Sequence, residues 1–132
     1  MTFLDTSAIY ALADRGDPNH DTAVERLQQL LDSGEELITH NYVVLESIAL
    51  IQSRLGFTPA LSFAKECATF TIEWVDQSLH ASGIRELQKS GKRQISLVDH
   101  ISFLVMRRRA VTVAFAFDPD FEAAGFQLLE PS

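Results

Sequence analysis

Apolar and polar positions follow two periods along this chain. Thr2 to Leu4 opens as a short apolar run. Asp5, Thr6 and Ser7 interrupt it before Ala8, Ile9, Ala11 and Leu12 resume, the order of a strand, a cap and a helix. Gly16, Asp17, Pro18 and Asn19 break that segment. From His20 to Leu31, the residues Ala23, Val24, Leu27, Leu30 and Leu31 recur at helical spacing, and Ser33-Gly34 ends them. Leu37 to Thr39 predicts a brief strand, and Asn41 is placed to cap a long helix ending near Leu55 and Gly56. Thr58 and Pro59 open a further helix toward Thr69, with Pro59 in its first turn. Phe70 to Val75 is rich in aromatic and β-branched residues and reads as a strand.

Leu79 to Leu87 reads as helix, Lys89 to Arg93 as a polar loop around Gly91, and Leu97, Ile101, Leu104 and Val105 as another helical stripe. Val111 to Phe117 is almost continuously apolar, as a strand covered on both faces requires. Gly125 then turns the chain into a last strand, Phe126 to Leu129. Helices alternating with strands, one of them apolar on both faces, predict an α/β domain with a mainly parallel sheet. At 132 residues, with no repeat, linker or low-complexity tract, the expectation is one domain over residues 1–132.

Composition narrows the class. Apolar residues make up 46% and charged residues 22%, which excludes disordered and coiled-coil chains. One cysteine, Cys67, rules out an internal disulfide and a cysteine-rich zinc site, and suits a small core residue. The first residues lack the basic segment of a secretory signal, and no apolar run reaches the ~18 residues of a membrane span. A cytoplasmic protein with no membrane partner is expected. The net charge of -7 argues against a loose electrostatic coat on nucleic acid. It leaves room for a nucleic-acid enzyme, because bound metal inverts the sign of an acidic site.

Four acids stand where sites are built, and each has a structural explanation as well. Asp5 can cap the first helix, although Thr6 can do so instead and leave Asp5 free. Glu46 lies in the run Tyr42-Val43-Val44-Leu45-Glu46-Ser47-Ile48-Ala49, on a helix with no broad polar face, where a carboxylate is costly unless paired. Ser96 and Asp99 have capping-box spacing. Asp118-Pro119-Asp120 is a good turn, and Asp120 is either a fifth acid of the site or a turn residue.

Topology brings the four together. Ligands of a parallel sheet bind beyond the carboxyl ends of its strands. Asp5 and Asp118 follow two such ends, the helix starting near Ser96 begins at the same edge, and Glu46 lies in the second turn of a helix leaving it. At an effective dielectric of about 20, a like-charged pair ~6 Å apart costs about 3 kcal/mol. Such a group neutralises in part or binds cations, and an all-oxygen set favours Mg²⁺ or Mn²⁺. These ions lower the pKa of a bound water and stabilise charge on a phosphodiester, which points to metal-dependent hydrolysis.

The segments Phe3-Leu4-Asp5-Thr6-Ser7-Ala8, Val44-Leu45-Glu46, Ser96-Leu97-Val98-Asp99-His100-Ile101-Ser102-Phe103 and Phe115-Ala116-Phe117-Asp118-Pro119-Asp120-Phe121-Glu122-Ala123-Ala124-Gly125-Phe126 resemble, in this order, PIN-domain ribonucleases of the VapC toxin type. The resemblance spans nearly the whole chain. It implies a PIN-like α/β fold with helices on both faces of the sheet. It also implies Mg²⁺- or Mn²⁺-dependent endoribonuclease activity, an RNA substrate, a cognate VapB-type antitoxin and a homodimer. Asp5, Glu46 and Asp99 correspond to the core metal ligands, and Asp118 completes a second metal site or acts through water. Thr6 or Ser7 matches the polar helper after the first acid, and Ser96 the serine before the third. Asp120 departs from the family pattern, in which many relatives carry a basic residue or His, and adds negative charge beside the site.

Arg107, Arg108 and Arg109 form the one dense basic run, and Lys89, Lys92 and Arg93 a looser one. Arg107, Arg108, Lys92 and Arg93 are candidate contacts for an RNA backbone, while cations at a helix C-terminus also simply complement its dipole. His100 points about 100° away from Asp99 on a helix and is assigned no role. Phe57, Phe63 and Phe70 are expected in the core or a dimer contact. Two rival functions are a catalytically silent PIN-like binding module and a different Mg²⁺-dependent phosphotransfer domain. For a dehalogenase-type phosphatase, a second Asp is wanted two residues after Asp5, where Ser7 stands.

Overall fold

Short apolar runs build one small sheet, and amphipathic helices cover it. The computed structural model describes residues 1–129. In chain order the elements are β1 (Thr2–Leu4), α1 (Thr6–Ala13), α2 (His20–Asp32), β2 (Leu37–His40), α3 (Asn41–Leu55), α4 (Phe57–Glu66), a 3-10 turn (Cys67–Thr69), β3 (Thr71–Glu73), α5 (Gln77–Ser90), α6 (Leu97–Arg108), β4 (Val113–Phe115), α7 (Asp120–Ala123) and β5 (Gln127–Leu128).

The sheet is parallel throughout, in the order β3-β2-β1-β4-β5. Right-handed crossovers place α1 to α4 on one face and α5 to α7 on the other. Side chains of β1 show the two faces, since successive strand residues point oppositely. Phe3 packs its ring against Phe121, while Leu4 lines an apolar groove with Ile9, Leu27 and Phe63. Phe3, Leu4, Ile38, Ile101, Phe115 and Phe121 are buried at the centre, as is Cys67 beneath α4. Gly83 of α5 lets α6 approach closely: a Cβ there would be driven into Ile101 Cδ1, with Ile101 Cγ1 at 3.0 Å and Leu97 Cδ1 at 3.1 Å.

Several boundaries differ from the pattern. The apolar run 111–117 pairs only at Val113–Phe115, because residues beyond it leave the sheet to build the turn at Asp118. The predicted strand 70–75 shortens to Thr71–Glu73, and the last strand to Gln127–Leu128. α5 runs on through Lys89 to Ser90, and Gly91, in the left-handed region at φ 59°, ends it. Residues 120–123 form the extra helix α7, where only a turn was expected.

Asn41 does not cap α3. The buried His40 does so: its Nδ1 accepts the Val43 N–H at 3.3 Å. Asn41 Oδ1 instead accepts the Val75 N–H at 2.6 Å and pins the segment after β3. His40 Nε2 then donates to Ser102 Oγ at 2.8 Å, and that hydroxyl donates to Val98 O at 2.9 Å. Burial pushes the His40 pKa down to about 3, so the ring is neutral and joins the end of β2 to α6. Among the described residues no helix is long and apolar enough to cross a membrane.

Candidate active site

Pairing of Leu4 with Phe115 sets the carboxyl ends of β1 and β4 side by side. Asp5 leaves β1 at that edge, donating its N–H to Phe115 O at 3.1 Å. It caps α1, contrary to the option that Thr6 would release it: Asp5 Oδ2 accepts the Ser7 N–H at 3.1 Å and the Ser7 hydroxyl at 2.6 Å. Thr6 is the first residue of the helix and buried, and its hydroxyl accepts from Ser47 Oγ of α3 at 3.4 Å. Ser7 does more than assist the cap. Its oxygen also accepts the Phe117 N–H at 2.9 Å, so one hydroxyl ties Asp5 to the chain entering Asp118.

Asp99 caps α6 and also offers a carboxylate oxygen to the neighbouring acids. Asp99 Oδ2 accepts the Ser96 N–H at 3.0 Å while Ser96 Oγ accepts the Asp99 N–H at 3.2 Å, a complete capping box. The box fixes the first turn of α6 and holds Asp99 toward Asp118. Asp118 Oδ1 accepts the Asp120 N–H at 2.9 Å, which turns the chain into α7 and folds Asp120 back onto the site. Asp99, Asp118 and Asp120 each offer a carboxylate oxygen within 4.8 Å of the others.

The electrostatics are those of acids short of positive charge. Asp5 is only 5% exposed, and burial lifts its pKa to about 6. Ser7 opposes that rise, while the Asp99 and Asp118 carboxylates add to it. Asp118 is also pushed up, first by burial and then by Asp99 and Asp120, against the lowering effect of the Asp120 N–H. Asp5 thus feels the charge of Asp99 and Asp118, and among the described residues neither Asp5 nor Asp118 forms an ion pair. Clustered carboxylate oxygens without His or Cys suit a hard divalent cation, so the residues fit such an ion.

Glu46 behaves differently from its expectation. It is exposed, as is Leu45 beside it at 67%, so the apolar run through α3 is not a buried stripe at this point. The premise of a costly buried carboxylate therefore fails. Glu46 lies outside the three-carboxylate cluster, next in sequence to Ser47, which touches Thr6.

The basic candidates divide. Lys92 and Arg93 are exposed in the segment that leads into Ser96 and Asp99. Arg107 and Arg108 lie at the other end of α6, about 12 Å from Asp99 along the axis at 1.5 Å per residue. Arg107 reaches Ala124 O and stacks on Phe126, and Arg108 and Arg109 pair with Glu73. The structure does not bring them to the acids. His100 is buried edge-on to Phe103. Phe63 is buried, Phe70 partly buried and Phe57 68% exposed.

Sequence reasoning missed Arg26 of α2, whose guanidinium carbon lies 5.2 Å from the centre of the Phe117 ring, one residue before Asp118. A signal existed: Arg26 follows the buried Ala23 by three residues and precedes the buried Leu30 by four, on the inward stripe of α2. It also missed the double duty of Ser7 and the His40 link, for which no local pattern exists.

Comparison with known proteins fits this geometry. The PIN domain family profile matches residues 2–127. The chain is 35% identical over 134 residues to the 23S rRNA-specific endonuclease VapC20 of Mycobacterium tuberculosis, covering 99% of both chains. The crystal structure of that toxin, described as cleaving the sarcin-ricin loop, superposes with a TM-score of 0.88 at 34% identity, over 99% of this chain and 100% of the other. FitAcB from Neisseria gonorrhoeae shares the fold, with a TM-score of 0.65 at 21% identity.

Proposed function

The chain belongs to the PIN-domain family, among its VapC-type endoribonuclease toxins, and from that premise we propose that Asp5, Asp99 and Asp118 carry the hydrolysis of an RNA phosphodiester. Asp99, Asp118 and Asp120 would hold Mg²⁺ or Mn²⁺, with Asp5 beside them and Glu46 at the rim completing the set. When bound, such an ion lowers the pKa of a water and offsets charge on the phosphodiester. The protein's part is to hold acids together that repel. Ser7 fixes Asp5 against β4, Ser96 fixes Asp99, and the Thr6–Ser47 contact seats α1 on α3, the helix that carries Glu46. Lys92 and Arg93 supply positive charge at the mouth, whereas Arg107 and Arg108 are engaged by Ala124, Phe126 and Glu73 at the far end of α6.

One observation carries this reading: the convergence of Asp99, Asp118 and Asp120 next to a buried Asp5 that has no ion pair among the described residues. Acids gathered with no base among them call for a metal. The substrate is inferred to be a loop of ribosomal RNA, the class named for VapC20, since loops expose unstacked bases and a flexible backbone. A VapB-type antitoxin, a homodimer and a cytoplasmic location complete the proposal, with residues 1–132 acting as one domain.

Total RNA, intact ribosomes and an isolated sarcin-ricin loop oligonucleotide, incubated with purified protein, test it. Parallel reactions contain Mg²⁺, Mn²⁺ or EDTA, and the Asp5→Asn and Asp99→Asn variants. Discrete fragments that need metal and vanish in both variants are expected. Fragments of equal yield from either variant refute the assignment of the acids, and metal-binding calorimetry without cleavage of any RNA converts the protein to a binding module.

A further inference from the structure

Arg26 presents an unusual combination. It sits on the inward stripe of α2 with its guanidinium carbon over the Phe117 ring, 5.2 Å from the ring centre. Its Nε is buried and makes no hydrogen bond among the described residues. No acid within the described residues pairs with it, although the protein carries 18 acidic residues against 11 basic ones. Several other cations are engaged, Arg54 on Tyr10, Lys89 with Glu86, and Arg108 and Arg109 with Glu73, while Lys92 and Arg93 are exposed rather than part-buried.

A partly desolvated guanidinium without an anion is expensive. The cation–π contact with Phe117 offsets part of that cost and leaves the buried Nε–H unused. The contact with Phe117 also restricts the guanidinium, so that less entropy is lost when an anion arrives. Its position matters as much. Phe117 is tied by its N–H to Ser7, Ser7 to Asp5, and the next residue is Asp118.

Resting on the ribonuclease reading, we propose that Arg26 binds a phosphate of the RNA strand adjacent to the acidic cleft. The acids would face one phosphodiester, and Arg26 takes a neighbouring one, adding a fixed cation to the mobile positive charge of Lys92 and Arg93. Phosphate oxygens accept from the guanidinium in a charge-assisted pair, a geometry for which arginine is better suited than lysine. A carboxylate of a protein partner offers the same chemistry. RNA is favoured because Arg26 packs on the residue that enters Asp118, where the substrate must lie.

Arg26→Met separates charge from packing, because the thioether still covers Phe117. Fluorescence polarisation with a labelled single-stranded RNA oligonucleotide of mixed sequence, in the Asp5→Asn background to prevent cleavage, reads the affinity as salt is varied. Loss of one phosphate contact should weaken binding about tenfold to a hundredfold. It should also reduce the slope of log affinity against log salt by about 0.7. Arg26→Lys should restore the slope and only part of the affinity. With Asp5 intact, Arg26→Met should raise KM more than it lowers kcat.

Unchanged affinity and slope in Arg26→Met, beside a wild-type protein that cleaves RNA, overturn the proposal and leave the ribonuclease reading standing. A drop in affinity for an acidic protein ligand with none for RNA also overturns it. Absence of RNA binding and of cleavage in the wild type, even at low salt, overturns both.

Discussion

Replacing Asp5 by Asn should make the metal-free protein more stable while abolishing its activity. Asp5 is buried and its pKa stands at about 6, against 3.8 for an unperturbed aspartate. Above pH 6 the folded protein must therefore hold a carboxylate that the fold disfavours. A little over two pH units corresponds to roughly 3 kcal/mol at 1.36 kcal/mol per unit. Asparagine keeps an oxygen that can accept from Ser7 and still caps the helix, so the local geometry survives. Its amide must also lose water, which reduces the gain to about 1–3 kcal/mol, or roughly 3–10 °C in Tm for a domain of this size.

The sign depends on pH in a defined way. The folded pKa is the higher one, so between 3.8 and about 6 the folded state binds the extra proton and the penalty grows as pH rises. Calorimetric melts in EDTA should show the full advantage of Asp5→Asn at about pH 8 and a shrinking advantage toward about pH 4. Added Mg²⁺ should reverse the order, because only the wild type gains by mass action from a filled site. A variant less stable than wild type in EDTA at about pH 8, or an advantage independent of pH, refutes the reasoning.

Other perturbations separate the supports of the site. His40 has a folded pKa of about 3, below its ordinary 6.5, so it contributes stability that is present above 6.5 and lost as pH falls through that interval. The Asp5→Asn protein should therefore lose about 1.4 kcal/mol per pH unit below 6.5 in urea titrations, whereas in the wild type the opposite linkage of Asp5 cancels this slope between 3.8 and about 6. Ser7→Ala leaves the Phe117 N–H without its acceptor and should destabilise by about 1–3 kcal/mol. Its turnover of RNA should fall with a weaker Mn²⁺ affinity, both measurable on folded protein. Gly83→Ala pushes a methyl group into the fully buried Ile101, and a cost of about 1–3 kcal/mol outweighs the helical gain of about 1 kcal/mol. A lower Tm is expected, and an unchanged or higher one shows that α6 can shift to make room.

Much of this architecture is legible because local chemistry and global packing agree. Thr2–Leu4 is short, apolar and followed by a cap, and it becomes the central strand. Ser96 and Asp99 have capping-box spacing and form the box. Where reading failed, a tertiary contact decided. Asn41 is a better cap by type than His40, yet the segment after β3 claims its side chain through Val75, and the imidazole takes over. Glu46 looked buried because its neighbours are apolar, but Leu45 faces out, and the sequence carries no sign that this part of α3 is uncovered. Asp120 was undecided between turn and site because it is both. Its N–H makes the turn at Asp118 and its carboxylate enters the cluster.

The order of strands has a bearing on the protein's own synthesis. β1 is translated first but sits in the middle of the sheet, and its neighbour on one side is β4, formed by residues 113–115. Until that late segment emerges, Asp5 has neither the Phe115 carbonyl to hold its backbone nor the Phe117 amide to hold Ser7. Two of the four gathered acids, Asp118 and Asp120, arrive later still. Non-local closure of this kind is slow and comes last in folding. A nascent chain on the ribosome therefore carries the first acid of the site long before it can assemble the rest, which delays a nuclease's activity until translation has passed most of its length.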